Sequence, residues 1–141
     1  MKQLIPLLAA VAFVFAATFE PAPRSVTVEG TLVDTKCYGM AVAMGKPKMN
    51  VTNTHKVQKD GKMMDVPNCA TACASMGIPV GVLTKDGKTY VLLTPATALK
   101  DHMAKEARVT GDKVFDGGII ATKVEVKENG TWKDVTPGTM M

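Results

Sequence analysis

Short segments in which apolar and β-branched residues alternate with polar ones recur along the chain after residue 25. They cover residues 25–34, 80–84, 89–93, 107–114, 119–127 and 131–135. This alternation is typical of half-buried β-strands. Lys85-Asp86-Gly87-Lys88 is a turn sequence between the second and third segments, and Asn129-Gly130 is another before the last. The chain is therefore predicted to be mainly β, with hairpins between sequence neighbours.

One helix interrupts the predicted strands. Thr94 and Pro95 are typical of the N-cap and the first position of a helix, which is predicted to continue to about Lys105. Five strands with one helix between the third and the fourth are the layout of an OB-fold, a small Greek-key barrel. Gly30 inside the first strand predicts the bend that closing a barrel requires. The fold prediction is a five-stranded OB-fold-like barrel over residues 26–136.

A long insertion, residues 35–78, follows the first predicted strand. It is rich in Gly, Pro, Asn, Lys and Met and has no clear periodicity. Connections of this length are uncommon in compact domains and are usually functional. Lys59-Asp60-Gly61-Lys62 favours a small hairpin within the insertion. Asn68 predicts the N-cap of a short helix that begins at Cys69 and ends at Gly77.

The N-terminus has the pattern of a secretory signal. Lys2 precedes an uncharged apolar run from Leu4 to Phe19, which is shorter than the roughly 20 residues that span a bilayer. Residues 1–19 are predicted to be a signal peptide or an uncleaved anchor, and residues 20–25 a linker. The mature protein is expected in the periplasm or outside the cell, without a transmembrane span once the signal is removed.

Composition narrows the class of partner. The formal net charge is +4, and Lys and Arg residues are scattered rather than grouped. Aromatic residues make up 5% of the chain, too few for the stacking surfaces that single-stranded nucleic acid usually needs. The sequence also lacks a Walker loop and a catalytic triad order. No nucleic-acid partner is expected, and the predicted partner is a metal ion or a small ligand.

The three cysteines carry the strongest chemical signal. They are Cys37, Cys69 and Cys73, and an odd number leaves at least one thiol unpaired in an exported monomer. Cys69 and Cys73 are one helical turn apart, where Cβ atoms are ~5–6 Å from each other. A disulfide needs ~3.8 Å, so this spacing suits two ligands of one metal better than a bridge. Soft sulfur ligands select copper or zinc, which are the predicted metals.

The fourth ligand is less clearly specified. His55 is the candidate imidazole of the insertion, and Met63, Met64 and Met76 are alternative thioether ligands. Asp34 lies three residues before Cys37. It is predicted either to cap the following loop or to accept a hydrogen bond from a ligand.

Two other interpretations of the cysteines stay open. In one, Cys37 forms a disulfide with Cys69 or Cys73, and the chain is a disulfide-stabilised periplasmic or envelope binding module without metal. In the other, a reactive thiol makes the chain a thiol redox protein, although the motif is not Cys-x-x-Cys. The favoured hypothesis is an exported, non-enzymatic protein with a cysteine-based metal site.

Several motifs together resemble a family of small exported bacterial proteins of OB-like fold, for which no activity is assigned. They are Gly30-Thr-Leu-Val-Asp34-Thr-Lys-Cys37, Cys69-Ala-Thr-Ala-Cys73, Gly77 and Val109-Thr-Gly111. The resemblance covers roughly residues 28–126 and implies an exported bacterial protein with a linked cysteine trio. In some similar sequences a His directly precedes the Cys-x-x-x-Cys motif, whereas His55 lies further upstream here.

Overall fold

The computed structural model describes residues 24–138, so the predicted signal peptide and residues 20–23 of the predicted linker lie outside the described residues. The described part is mainly β, as predicted. Its strands are β1 (Arg24–Asp34), β2 (His55–Lys59), β3 (Lys62–Val66), β4 (Val80–Thr84), β5 (Thr89–Leu92), β6 (Glu106–Phe115), β7 (Gly118–Glu128) and β8 (Thr131–Asp134). Its helices are α1 (Thr35–Ala43), α2 (Cys69–Ser75) and a 3-10 helix (Ala96–His102).

Six strands form one sheet in the order β5-β4-β1-β6-β7-β8, and β2 and β3 form a separate hairpin. Neighbours in the six-stranded sheet are antiparallel. In addition, β5 pairs in parallel with β7, through Val91 with Gly118 and Leu92 with Ile119. The pairings of β1, β4, β5, β7 and β6 therefore form a closed cycle. The sheet has six strands rather than the predicted five, because β8 pairs with β7 after the turn at Asn129-Gly130.

Gly30 is the residue at which β1 changes partners. The strand pairs with β6 from Arg24 to Thr31, and with β4 from Gly30 to Asp34. A Cβ atom at Gly30 would clash with the carbonyl oxygen of Leu83 in β4. A glycine is needed here because two backbones approach each other closely. Since β1 keeps its register with both neighbours, Gly30 marks a crossover between partners and not a bulge.

The hydrophobic core lies between the sheet, α2 and the 3-10 helix. Strand residues supply most of it: Leu32, Val80, Val82, Leu92, Val109, Ile119, Val124 and Val126 are buried. From α2, Ala70 and Ala74 join this core, and from the 3-10 helix Leu99 does. Small alanine side chains allow α2 to pack closely against the 3-10 helix. This packing fixes α2, which carries two of the three cysteines, on the framework of strands.

The segment after β5 differs from the prediction. It forms a 3-10 helix rather than an α-helix reaching Lys105, and Pro95 rather than Thr94 occupies the N-cap position. The reason is a pair of backbone hydrogen bonds to β1. The N–H of Ala104 donates to the carbonyl of Leu32 at 2.8 Å, and the N–H of Leu32 donates to the carbonyl of Lys105 at 3.0 Å. Because β1 takes these backbone groups, the chain leaves the helical path early.

The insertion between β1 and β4 contains α1, the β2–β3 hairpin and α2. The hairpin turns at Asp60 and Gly61, as predicted, and both residues have positive φ angles of 50° and 75°. The sequence did not predict α1. Asn68 is the N-cap residue of α2, which begins at Cys69 as predicted, but Asn68 has a left-handed φ of 55° and its side chain makes no capping bond.

Both ends of the insertion are held together at its base. The backbone N–H and the hydroxyl of Thr35 donate to the carbonyl of Pro79 at 3.0 and 2.9 Å. At the end of α2, the N–H groups of Gly77 and Ile78 donate to the carbonyls of Ala74 and Cys73. Gly77 has a φ of +82°, so α2 ends in a Schellman motif. The chain thus returns directly from α2 to β4.

Candidate metal centre

Asp34 is the last residue of β1 and caps α1. Its Oδ1 accepts a hydrogen bond from the backbone N–H of Cys37 at 2.8 Å. Side-chain acceptance at this position satisfies one of the free N–H groups of the first helical turn. The cap therefore holds Cys37 in the first turn of α1, directly beside the Asp34 carboxylate. Of the two roles predicted for Asp34, capping is confirmed.

His55, the first residue of β2, faces the same carboxylate. Its Nδ1 lies 3.4 Å from Oδ2 of Asp34, and both side chains are 0% exposed. Among residues 24–138, three buried polar atoms of this pair have no hydrogen-bond partner. They are the two imidazole nitrogens of His55 and Oδ2 of Asp34. Burying polar atoms without partners costs free energy, and a metal ion is one group that could satisfy these atoms.

The thiols of α2 complete the cluster. Cys73 is buried, and Cys37 and Cys69 are partly buried. Ligand atoms of Cys37, His55 and Cys69 all lie within 4.8 Å of one another, and those of Asp34, Cys37 and Cys73 form a second such group. Cys37 belongs to both groups. The three cysteines and His55, widely separated in sequence, are thus brought together and could hold a metal ion.

A buried asparagine ties the first part of the insertion to α1. The side chain of Asn50 donates to the carbonyls of Cys37 and Lys56 at 3.1 and 3.3 Å. Its Oδ1 accepts from the N–H of Lys56 at 2.8 Å. Asn50 has a positive φ of 62°, a conformation that asparagine tolerates better than most residues. One side chain therefore fixes the backbone next to both Cys37 and His55.

A second asparagine ties the same loop to α2. The Oδ1 of Asn53 accepts from the backbone N–H and the hydroxyl of Thr71 at 3.0 and 3.2 Å. The carbonyl of Asn53 accepts from the N–H of Ala70 at 3.3 Å. These bonds satisfy N–H groups in the first turn of α2, which Asn68 leaves uncapped. Neither asparagine was predicted to support the site, although an Asn-rich loop is a signal for such side-chain caps.

The electrostatics of the cluster favour the protonated form of the Cys37 and Cys73 thiols. Burial raises the pKa of Cys37, and the charges of Asp34, Cys73 and Cys69 raise it further. Burial and the Asp34 carboxylate raise the pKa of Cys73 in the same way. Gathering several potential anions in one buried place is unfavourable unless a positive charge lies among them. A bound metal cation would lower these thiol pKa values and favour the thiolates.

The donor set suits a tetrahedral ion with soft ligands. Zn–S and Cu–S bonds are ~2.3 Å long, so ligand atoms on one tetrahedral ion lie ~4 Å apart. Within each of the two groups, the ligand atoms lie within 4.8 Å of one another, which is close to this separation. The Nδ1 of His55 faces Asp34, which leaves Nε2 for an ion. A carboxylate behind a ligating histidine is a common arrangement in metal sites.

The other predicted ligands are exposed methionines. Met63, Met64 and Met76 are 44%, 50% and 72% exposed, so their thioethers face solvent and their ligand role stays a prediction. Within the described chain, which contains all three cysteines, the cysteines are free and no disulfide joins them. The predicted bridge from Cys37 to Cys69 or Cys73 is therefore not seen. Instead, the thiol of Cys37 lies within 4.8 Å of a thiol of α2 in each of the two groups.

Across residues 24–138, the structure has no helix that is long and apolar enough to cross a membrane. Comparison of the chain with protein-family models, with curated proteins and with solved structures finds no match.

Proposed function

We propose that this chain is an exported, non-enzymatic protein that binds one zinc or copper(I) ion through Cys37, Cys69, Cys73 and His55. The observation that carries the proposal is the buried imidazole of His55, whose two nitrogens have no hydrogen-bond partner among the described residues and which offers a ligand atom within 4.8 Å of the thiols of Cys37 and Cys69. Three sulfurs and one nitrogen are a known ligand set for tetrahedral zinc, and soft sulfur also suits copper(I).

Saturation of the ion by protein ligands supports a non-enzymatic role. Catalytic zinc sites keep one position open for water or substrate, whereas structural and storage sites are closed. Here four protein donors are available, with Asp34 behind His55 as a fifth polar group. A closed site holds or carries an ion and leaves no position at which a substrate would bind.

We further propose that the framework is an OB-like barrel. The cyclic pairing of β1, β4, β5, β7 and β6 supports this, since closure with a parallel pair between β5 and β7 leaves those strands without a free edge. The insertion that carries the site then follows the first strand of the barrel. Export is proposed on the signal-like N-terminus of the sequence and on its resemblance to small exported bacterial proteins.

The test is metal analysis of the full-length protein expressed with its N-terminus intact and purified from the periplasm, combined with a thiol count. One equivalent of zinc or copper and three thiols that react only after the metal is removed would support the proposal. One free thiol without metal would favour the disulfide-stabilised binding module instead. Recovery of the protein only from the cytoplasm, with Met1 retained, would overturn the export part.

Cobalt(II) provides a second readout, because a tetrahedral thiolate site gives it intense visible and charge-transfer absorption. We expect this spectrum in the wild type and its loss or strong change in Cys37→Ser, Cys69→Ser, Cys73→Ser and His55→Gln. The matched control is His102→Gln, the other histidine, which lies in the 3-10 helix. An unchanged spectrum in His55→Gln would remove His55 from the ligand set.

A further inference from the structure

Several exposed methionines lie in the insertion that carries the candidate metal centre. Methionine normally fills cores, and Met103 does so here at 5% exposure. Five others are at least 44% exposed: Met40, Met44, Met63, Met64 and Met76. All five belong to the insertion, on or beside the elements that carry the cysteines and His55. Because methionine normally fills cores, five exposed ones within residues 40–76 call for an explanation.

On α1, two of these methionines continue the row that begins at Cys37. Positions 37, 40 and 44 are spaced i, i+3 and i+7, which places them within about 60° of one another around a helix of 100° per residue. The N–H of Met44 donates to the carbonyl of Met40 at 3.0 Å, so the helical spacing extends to Met44. Met40 and Met44 are 57% and 44% exposed, whereas Cys37 is partly buried.

On α2, the same pattern appears with the two other cysteines. Positions 69, 73 and 76 are spaced i, i+4 and i+7 and again share one side of the helix. The N–H of Met76 donates to the carbonyl of Ala72 at 3.1 Å, so Met76 still has helical spacing. Met76 is the most exposed of the group at 72%, and Cys73 is 6% exposed. On each helix, therefore, sulfur atoms are arranged in a row that runs from exposed methionines to less exposed cysteines.

We propose that Met40, Met44 and Met76 form the entry route by which copper(I) reaches the thiol cluster. This proposal rests on the proposed metal site and selects copper(I) as its cargo. A thioether is a neutral, soft ligand that binds copper(I) and has little affinity for zinc. It binds more weakly than a thiolate, so an ion captured at the surface moves towards the buried cysteines.

The transfer is an exchange of ligands without electron transfer. Copper remains in the +1 state, each copper–thioether bond breaks as a copper–thiolate bond forms, and each thiol that binds releases its proton to water. The thioethers are left unchanged and can take up another ion. A route of this kind alters the rate of loading and leaves the equilibrium affinity of the final site as it is.

The experiment follows copper(I) transfer to the full-length apo protein from its coloured bicinchoninate complex, under ascorbate and without oxygen. The test variant is Met40→Leu/Met44→Leu/Met76→Leu, and the matched control is Met63→Leu/Met64→Leu, which removes exposed methionines from β3 instead. Leucine is close to methionine in volume and apolar character, so both variants should fold. Circular dichroism and thermal unfolding check this.

We expect the test variant to load about tenfold more slowly, equivalent to about 1.4 kcal/mol in the barrier, with an unchanged copper(I) affinity. The control should load at the wild-type rate, and zinc loading should be the same in all three proteins. An unchanged copper(I) rate in the test variant, or equal slowing in the control, would overturn the route while leaving the metal site intact. A wild type that binds zinc but no copper(I) would overturn the route alone, and one that binds neither would overturn both proposals.

A titration with silver(I), which mimics copper(I) and is stable in air, gives an independent readout. In a variant with all three cysteines changed to serine, the methyl NMR signals of Met40, Met44 and Met76 should shift with silver(I) before those of Met63 and Met64. Equal shifts of all five signals would contradict a specific route.

Discussion

The carboxylate of Asp34 contacts Cys37 and His55 through different oxygens. Oδ1 accepts the backbone N–H of Cys37 at 2.8 Å, and Oδ2 lies 3.4 Å from Nδ1 of His55. One side chain at the end of β1 therefore orients two candidate ligands that come from different elements of the insertion. Its position is fixed by the strand, whose last residues are buried and paired with β4.

Asp34→Asn separates these two roles. Asparagine keeps an oxygen that can cap α1 but loses the charge that faces His55, so we expect the zinc affinity to fall by roughly 10–100-fold. The stability of the apo protein should change little by comparison. Asp34→Ala also removes the cap and should cost the apo protein a further ~1 kcal/mol. Chelator competition and chemical unfolding measure the two quantities, and an unaltered affinity in Asp34→Asn would contradict the role in orienting His55.

Metal should stabilise the insertion far more than the strand framework. A free metal concentration of about 1,000 times the dissociation constant stabilises the folded state by ~4 kcal/mol. Hydrogen exchange compared with and without metal should show the change chiefly in residues 35–78, since the cluster joins α1, β2 and α2. The strands β6 and β7 serve as an internal control. Equal protection changes in these strands would show that the metal acts on the whole domain instead.

The apo protein should lose stability at alkaline pH. Burial and the neighbouring carboxylate raise the pKa of Cys37 and of Cys73 above that of a free thiol. The folded state thus favours the protonated thiol. This contribution is complete below the unfolded pKa of about 8.5 and is lost as the pH rises towards the folded pKa. Urea unfolding of the apo protein between pH 7 and 10 should show the decline, and Cys37→Ser/Cys73→Ser should flatten it.

With metal bound, the dependence on pH runs the other way. Binding requires thiolates, so protons compete with the ion and the affinity should rise with pH over the range below the thiol pKa values. Chelator competition at several pH values measures this slope. A zinc or copper(I) affinity that does not change with pH would argue against thiolate ligands.

Gly30→Ala tests the crossover of β1 between its two partners. The new Cβ would meet the backbone of Leu83, which cannot move without disturbing β4, so we expect a loss of ~1–3 kcal/mol in the free energy of unfolding. Gly39→Ala is the matched control, because the position lies in α1 with no atom within 4 Å of the added Cβ. Replacing this helical glycine should stabilise the protein by ~0.5–1 kcal/mol. Equal effects of the two substitutions would remove the argument for a crossover.

Asn50→Gly tests whether the loop positions the ligands. Glycine keeps the left-handed backbone but removes the three side-chain hydrogen bonds to Cys37 and Lys56. We expect a cost of ~1–3 kcal/mol in stability and a weaker metal affinity. Thr52→Ala, which loses one exposed hydrogen bond in the same loop, is the control. Wild-type affinity in Asn50→Gly would confine the role of Asn50 to folding.

The strand framework was predictable because its signals are local. The alternation that predicts β4 and β5, and the turn between them, lies within residues 80–93, and the observed strands differ from the predicted bounds by at most one residue. The 3-10 helix was not predictable in the same way. Its early end depends on hydrogen bonds from Leu32, a residue far away in sequence, which override the local preference for an α-helix.

The candidate site was predictable in its thiols but not in its support. The helical spacing of Cys69 and Cys73 is visible in the sequence. The segment that forms α1 shows no periodic pattern, because it contains Gly39 and exposes Met40 and Val42. Its formation depends on the Asp34 cap and on the buried contacts of Tyr38. The pairing of Asp34 with His55 depends on tertiary structure alone, and no spacing in the sequence encodes it.

The hydrogen bonds between Thr35 and Pro79 hold the two ends of the insertion side by side, as in a segment that could be transplanted into another protein. A host protein would therefore need only two neighbouring antiparallel strands to receive the insertion. Such a transplant would also need an aspartate at the position of Asp34 and an apolar surface beneath Ala70 and Ala74. The arrangement offers protein engineers a compact unit for placing thiols on a β-framework.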